Sequence, residues 1–136
     1  MIRRTLILLT LATVLAILRG MILEKGSWEG SDEAGISWTE TLHLRGILWV
    51  DARSPDAYQA GHYDDAVNLT EDNWEQDLEH LLFRWHPEEV IVVYCDSGGC
   101  ESSKAVTLRL RRELGVTNIY WLEEGWEILH SEGDRR

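Results

Sequence analysis

Two cysteines stand close together in the segment VVYCDSGGCESS, which covers residues 92 to 103. Cys95 follows an apolar run typical of a buried strand, and Cys100 precedes a segment that can begin a helix. A thiolate at such a strand-to-helix turn is a good nucleophile, because backbone N–H groups and the positive end of the helix dipole favour the charged form. The same cysteines could instead form a disulfide, or Cys95 could be a packed thiol without chemistry.

The loop that holds the cysteines has the residues needed to surround an anion. Gly98 and Gly99 give the chain the freedom to turn, so that several backbone N–H groups can converge on one point beside the helix N-terminus. A thiolate, or a persulfide with its charge on the outer sulfur, would be stabilised there. We therefore predict that Cys95 and Cys100 are catalytic and that the other loop residues bind substrate: Asp96, Ser97, Gly98, Gly99, Glu101, Ser102 and Ser103.

Strand-like and helical patterns alternate around this loop. ILWVDAR, EVIVVYC and NIYWL predict buried strands, while SWTETLHLRG, SPDAYQAGH, TEDNWEQDLEHLLFRW and SSKAVTLRLRRELG predict helices, and EEGWEILH predicts a last turn or helix. This alternation indicates a parallel sheet with crossover connections, and hence a small α/β sandwich with helices on both sides of the sheet. Catalytic loops in such folds lie at the carboxyl ends of strands, which is where Cys95 stands.

Particular residues set the expected ends and buried faces of these helices. Ser37 with Glu40, and Ser54 with Pro55, are N-terminal capping patterns, and Gly115 is a helix stop. The apolar faces are predicted at Trp74, Leu78, Leu81, Leu82 and Trp85 in one helix and at Ala105, Leu108, Leu110 and Leu114 in another; the tryptophans predicted in the core are Trp49, Trp121 and Trp126.

Charge is distributed unevenly along the 136 residues. Arg3, Arg4 and Arg19 precede every acidic residue, so the remaining ten basic residues stand against all 24 acids, and the rest of the chain carries a net charge of −14. Phosphate backbones and anionic lipid surfaces would repel such a domain. We therefore expect no nucleic-acid partner.

The first 23 residues differ from the rest. Two arginines precede the apolar run TLILLTLATVLAIL, as in a secretory signal or a membrane anchor. The run is short for a bilayer span, but the segment after it lacks the small residues of a cleavage site. We expect an N-terminal hydrophobic helix that anchors the chain in a membrane, with the domain on the periplasmic side; secretion after cleavage of a signal is the alternative. Residues 24–35 read as a linker, 36–130 as the domain and 131–136 as a polar tail.

Three blocks, ILWVDARSPDAYQAGHYDDAVNL, VIVVYC with its loop, and LGVTNIYWLEEGW, resemble the rhodanese-like domain family in order and spacing. The resemblance implies a sulfurtransferase in which Cys95 takes a sulfane sulfur from a small donor such as thiosulfate and holds it as a persulfide. A thiophilic acceptor, such as cyanide or a protein thiol, then receives the sulfur. This chemistry needs neither a metal nor an organic cofactor. The resemblance also implies structural support by Asp51 and Arg53 as an ion pair and by His62 as a capping or packing residue.

The loop departs from the family pattern at one informative position. Family loops commonly carry a basic residue five positions after the cysteine, and this chain has Cys100 there, with Asp96 and Glu101 as flanking acids. An acidic loop disfavours thiosulfate by charge repulsion. Two further hypotheses therefore stay open: a dithiol/disulfide redox protein that uses Cys95 and Cys100, and a non-catalytic binding module.

Overall fold

A five-stranded parallel sheet forms the centre of the domain. The structure, a computed structural model, describes residues 34–133. The strands lie in the spatial order β1-β5-β4-β2-β3, and every neighbouring pair is parallel. In chain order they are β1 (Gly35–Ile36), β2 (Ile47–Asp51), β3 (Val67–Asn68), β4 (Val90–Tyr94) and β5 (Ile119–Leu122). The predicted parallel α/β architecture is confirmed.

Among residues 34–133, four helices connect the strands and a fifth follows the last strand. The first two helices begin after the predicted capping residues: Ser37 and Glu40 form a complete capping box, and the Ser54 hydroxyl accepts a hydrogen bond from the Ala57 N–H. Gly115, in the left-handed conformation, ends the long helix after β4, as predicted. The helices are α1 (Trp38–Thr41), α2 (Pro55–Ala60), α3 (Trp74–Arg84), α4 (Glu101–Leu114) and α5 (Trp126–Gly133).

Each face of the sheet carries its own apolar core, because successive side chains of a strand point to opposite sides. On β4, Ile91 and Val93 join the cluster that α3 and α4 cover, whereas Val92 and Tyr94 join the cluster with residues of α1 and α5. Cys95 continues the first of these alternating sets and lies in the cluster beneath α4. The strand therefore delivers the cysteine to the side of the sheet on which Cys100 and α4 are found.

Several predicted boundaries and buried positions are corrected. Ala34 and Gly35, assigned to the linker, belong to the folded domain, since Ala34 is buried and Gly35 pairs with Trp121 of β5. The first three residues of the predicted polar tail continue α5, which ends at residue 133. The two-residue strands β1 and β3 were not predicted, because a strand this short is defined by its partner rather than by its own pattern.

Helix faces and tryptophans also differ in part from the prediction. On α4 the buried apolar side chains are Val106 and Leu110, whereas Leu108 is exposed. Leu82 of α3 is likewise exposed. Trp49 is buried as predicted, but Trp121 and Trp126 are only partly covered. The predicted N-terminal membrane helix lies outside the described residues, and within residues 34–133 no helix is long and apolar enough to cross a membrane.

Candidate active site

Cys95 lies at the carboxyl end of the central strand β4, directly after Tyr94. The residue is only 2% exposed and packs in the core cluster under α4. Its carbonyl oxygen accepts a hydrogen bond of 2.7 Å from the backbone N–H of Trp126, the first residue of α5. The backbone of Cys95 is therefore held by the sheet on one side and by the start of the last helix on the other.

Cys100 is joined to Cys95 by a disulfide, and it is also the N-cap residue of α4. The Cα atoms of the two cysteines are 6.5 Å apart. Cys100 is partly exposed and packs against the same core cluster as Cys95. The structure thus brings together the two residues that were predicted to be catalytic. Cys100 is the more exposed of the two and lies where the loop meets α4.

Ser103 lies beside both sulfur atoms. Its side chain is completely buried, and its oxygen lies 3.5 Å from Cys95 Sγ and 3.8 Å from Cys100 Sγ. The hydroxyl donates a hydrogen bond of 3.1 Å to the carbonyl oxygen of Cys100. A hydroxyl in this place can turn its proton toward either sulfur when that sulfur carries a negative charge.

The floor of the loop is formed by backbone from a second segment, the turn between β5 and α5. A Cβ atom on Gly98 would overlap the carbonyl oxygen of Glu123. From the other side, a Cβ on Gly125 would come within 2.6 Å of the Ser97 carbonyl carbon and 2.9 Å of the Gly98 nitrogen, and Gly125 has φ +73°. Both positions therefore require glycine, because main chain meets main chain there.

The remaining loop backbone is available to an anion. Among the described residues, no backbone N–H from Asp96 to Cys100 donates a hydrogen bond, and the first N–H groups of α4 have no acceptor within their own helix. Asp96, Ser97, Gly98, Glu101 and Ser102 are exposed and Gly99 is partly covered. The predicted substrate-binding residues thus line an accessible loop, apart from Ser103, which faces inward.

Charges of both signs stand beside the loop. The Asp96 carboxylate is largely exposed, and Glu101 begins α4. Lys104 provides the opposing charge: its Nζ lies 4.9 Å from the centre of the Trp121 ring and 4.0 Å from the place of a Cβ on Gly99. Within residues 34–133 Lys104 forms no salt bridge. Its charge therefore remains available to an anion that enters the loop.

Asp51 and Arg53 form the buried ion pair behind the loop. Asp51 is completely buried and accepts hydrogen bonds from the Arg53 backbone N–H at 2.9 Å and from Arg53 Nη2 at 2.7 Å. It also accepts a 2.8 Å bond from the Tyr94 hydroxyl. Burial, together with the charge of Asp51, raises the pKa of Tyr94, so the phenol stays protonated and continues to donate.

Arg53 connects this buried network to the loop. Burial would lower the pKa of the guanidinium, but the hydrogen bond and charge of Asp51 outweigh it and raise the pKa. The guanidinium lies 4.1 Å from the centre of the Trp126 ring, and its Nη1 is 3.9 Å from the Asp96 carboxylate. Arg53 and Trp126 also line a groove of about 310 Å³ with Ala57, Ala60, Gly61 and His130.

His62 lies apart from the cysteines. Its side chain is exposed and stacks on Tyr58 with the ring centres 3.9 Å apart, and Nδ1 is 2.9 Å from the Tyr58 carbonyl oxygen. These contacts fit a packing and capping role at the end of α2. The structure gives no contact between His62 and either sulfur.

Sequence reasoning placed Trp126 in the core and gave neither it nor Tyr94 or Lys104 a part in the site. For Tyr94 a signal was present, because Asp51 and Tyr94 end neighbouring strands and are paired in register. The Trp126 contact with Arg53 and the Lys104 contact with Trp121 depend on segments distant in the chain. No local pattern reports such contacts.

Comparisons with known proteins identify the family of the domain. The family model described as "Rhodanese-like domain" matches residues 38–132. The tRNA uridine(34) hydroxylase of Sodalis glossinidius is 31% identical over 81 residues, which cover 57% of this chain and 22% of that protein. The hydroxylase of Yersinia pestis is 31% identical over 80 residues, with the same shares covered. The chain thus spans about a fifth of the length of these relatives.

A solved structure shows the same fold. The rhodanese-related protein of Thermoplasma volcanium superimposes with a TM-score of 0.52 at 19% identity, over 73% of this chain and 92% of the other. At this identity the similarity concerns the fold alone. The family model, in contrast, matches more than half of the chain and includes the strand, the cysteine loop and the last helix. The protein therefore belongs to the family of rhodanese-like domains.

Proposed function

We propose that this protein is a sulfurtransferase that carries a sulfane sulfur as a persulfide on Cys95 and passes it to a thiophilic acceptor. The observation that carries the proposal is the position of Cys95 at the end of β4, at the start of a loop with unpaired backbone N–H groups and beside the N-terminus of α4. This environment stabilises a thiolate before the reaction and a persulfide anion after it.

In the first step the reduced Cys95 thiolate attacks the sulfane sulfur of the donor. A bond forms between Cys95 Sγ and that sulfur, and the bond between the sulfane sulfur and the rest of the donor breaks, so the donor leaves with the electron pair. In the second step a thiolate acceptor attacks the outer sulfur, and Cys95 leaves as a thiolate. The Ser103 hydroxyl, 3.5 Å from Cys95 Sγ, can donate a hydrogen bond to the Cys95 thiolate before the first step and again when it leaves in the second step.

The donor we favour carries little negative charge. Asp96 and Glu101 are exposed at the loop, and the Arg53 guanidinium near Asp96 is already paired with the buried Asp51, so Lys104 is a nearby cation without a salt bridge among residues 34–133. Thiosulfate carries two negative charges, whereas a small-molecule or protein persulfide brings at most one charge to the reacting sulfur. Repulsion by the loop therefore favours persulfide donors over thiosulfate.

The test is loading of sulfur on the reduced protein, measured by intact-protein mass spectrometry. After incubation with cysteine persulfide, the variant Cys100→Ser should gain one sulfur atom, located on Cys95 by peptide mapping. The double variant Cys95→Ser, Cys100→Ser should gain none. Urea unfolding of both variants shows whether each is folded. Equal loading with and without Cys95 would exclude the proposal.

A second candidate, a dithiol/disulfide oxidoreductase, is favoured by the observed disulfide between Cys95 and Cys100. Such a protein would exchange its disulfide with substrate thiols and would need no sulfane donor. Oxidation of a reduced model peptide by the disulfide form, measured without any persulfide, distinguishes the two candidates. A binding module would keep its partner after both cysteines are replaced. The hydroxylation named for the longer relatives is not proposed for this chain.

We also propose that residues 1–23 anchor the protein in a membrane with the domain on the periplasmic side. The support is the sequence pattern of two arginines followed by an apolar run. The full chain expressed in a bacterium should remain in the membrane fraction after alkaline extraction, and protease added to spheroplasts should digest the domain. Recovery of a shortened chain in the soluble periplasmic fraction would show signal cleavage instead.

A further inference from the structure

We propose that Cys100 discharges the sulfur from Cys95. Its thiolate attacks Cys95 Sγ of the persulfide, the sulfane sulfur leaves as hydrosulfide, and the Cys95–Cys100 disulfide remains. This inference rests on the proposed function, because its starting point is the persulfide on Cys95. It makes the disulfide in the structure the product of a catalytic step rather than a static cross-link.

The fold permits this attack without rearrangement of its elements. The structure contains the disulfide together with a complete β4, which ends at Tyr94, and a complete α4, which begins at Glu101. The Cα separation of 6.5 Å lies within the range that disulfides span, about 4.4–6.8 Å. Cys100 Sγ can therefore reach Cys95 Sγ while both flanking elements remain folded.

A persulfide offers two sulfur atoms to an attacking thiolate, and the two products differ. Attack on the outer sulfur would move the persulfide from Cys95 to Cys100. Attack on the inner sulfur, which is Cys95 Sγ, gives a disulfide between the cysteines and frees the outer sulfur. Because the structure joins the two Sγ atoms, it contains the product of the second attack.

The step balances without a further oxidant. The bond between Cys95 Sγ and the outer sulfur breaks, and its electron pair leaves with that sulfur; the new bond forms between the two Sγ atoms. Starting from the persulfide and thiol in their protonated forms, the products are the disulfide and hydrogen sulfide. The two cysteine sulfurs together lose two electrons relative to their thiols, and the sulfane sulfur gains them.

Ser103 lies where it can assist this step. Its oxygen is within 3.8 Å of Cys100 Sγ and 3.5 Å of Cys95 Sγ, and the residue is completely buried. The hydroxyl can donate a hydrogen bond to the Cys100 thiolate before the attack and hold it beside Cys95. Ser103 is therefore a positioning residue for this step, and the reacting atoms belong to the two cysteines.

The cycle closes when an external dithiol reduces the disulfide. Burial sets the direction of this reaction: Cys95 is 2% exposed, whereas Cys100 is partly exposed at the N-terminus of α4. The incoming thiolate therefore attacks Cys100 Sγ, and Cys95 is released as a thiolate that can be loaded again. The external dithiol becomes a disulfide, and both cysteines return to thiols.

The experiment compares the full-length protein with the variant Cys100→Ser. Serine is a favoured N-cap residue, so this variant keeps the start of α4. Both proteins are reduced, freed of reductant and treated with cysteine persulfide under anaerobic conditions. Hydrosulfide is measured with a fluorescent probe, and the cysteines are trapped with an alkylating agent and mapped by mass spectrometry. The matched control is Ser131→Ala, because Ser131 is exposed on α5 and lies outside the cysteine loop.

The expected result is that the protein with both cysteines releases hydrosulfide in proportion to the disulfide that it forms, as does the Ser131→Ala control. The Cys100→Ser variant should accumulate persulfide on Cys95 and release at least tenfold less hydrosulfide. Equal release by the two proteins, or a persulfide mapped to Cys100, would overturn the role of Cys100 while the proposed function stands. If neither protein gains sulfur, the proposed function and this inference both fail.

Discussion

Replacing Asp51 by asparagine removes the charge that compensates the buried guanidinium of Arg53. Asp51 is fully buried and the Arg53 side chain is 5% exposed, so water cannot take over the lost interaction. Removing one partner of a buried ion pair costs about 3–5 kcal/mol in the free energy of unfolding. With a urea dependence of about 1.5 kcal/mol per M, the unfolding midpoint should fall by about 2–3 M.

The double variant Asp51→Asn, Arg53→Met provides the internal check. Once neither charge is present, no unpaired ion is buried, so the double variant should be more stable than the sum of the two single losses predicts. The matched control is Glu113→Gln, because the Arg109–Glu113 pair lies at the surface and its loss should be far smaller.

The assay is urea unfolding of the full-length proteins, followed by tryptophan fluorescence. It is applied to Asp51→Asn, Arg53→Met, the double variant and Glu113→Gln. The reasoning is refuted if Asp51→Asn lowers the free energy of unfolding by less than about 1 kcal/mol, because a buried and compensated pair cannot be removed so cheaply. It is also refuted if the losses of the two single variants add up to that of the double variant, because the side chains would then act independently.

Three further changes probe the loop. Gly125→Ala places a Cβ against the backbone of Ser97 and should lower the free energy of unfolding, measured in urea, by about 1–3 kcal/mol. The control Gly61→Ala, whose Cβ would meet no atom within 4 Å, should leave the free energy of unfolding nearly unchanged. Equal effects of the two changes would contradict the contact. Ser103→Ala removes the hydroxyl beside Cys95 Sγ. In the reduced Cys100→Ser background, alkylation of Cys95 should slow by about tenfold at neutral pH, because less thiolate is present, and should recover at high pH. An unchanged pH profile would exclude the hydrogen bond. Lys104→Gln removes the cation beside the loop. The concentration of thiosulfate needed for half-maximal loading should therefore rise about fivefold at low salt, while the maximal rate is kept. An increase that is the same at high salt would contradict an electrostatic role.

The sequence predicted those parts of the fold that local patterns encode. The apolar run before Cys95 and the capping residues Ser37 and Ser54 were sufficient for the central strand and two helix starts, because hydrophobic periodicity and end-capping act within a few residues. The edge strands β1 and β3 escaped notice, since each has two residues and exists only through pairing with a neighbour.

For the candidate site, the location of the cysteine loop between a strand and a helix was predictable, but the contacts of the loop with distant parts of the chain were not. The place of Cys95 followed from a strand that leads into a helix. The approach of Gly125 to Gly98 depends on how two distant turns meet. On α4, the prediction favoured Leu108 over Val106 for burial, because residue type was considered without the exact rotation of the helix on the sheet.

Because the Gly98 backbone contacts the turn at Glu123, the position of the Cys95 sulfur does not depend on the charged side chains around it. Main chain fixes this part of the loop, so substitutions at exposed positions such as Asp96 or Glu101 change the local potential without moving Cys95. Under the proposed function, single surface changes at such positions would alter the donor preference while Cys95 stays in place. Variants of those two acids would then show whether charge alone adjusts the donor specificity of the proposed sulfurtransferase.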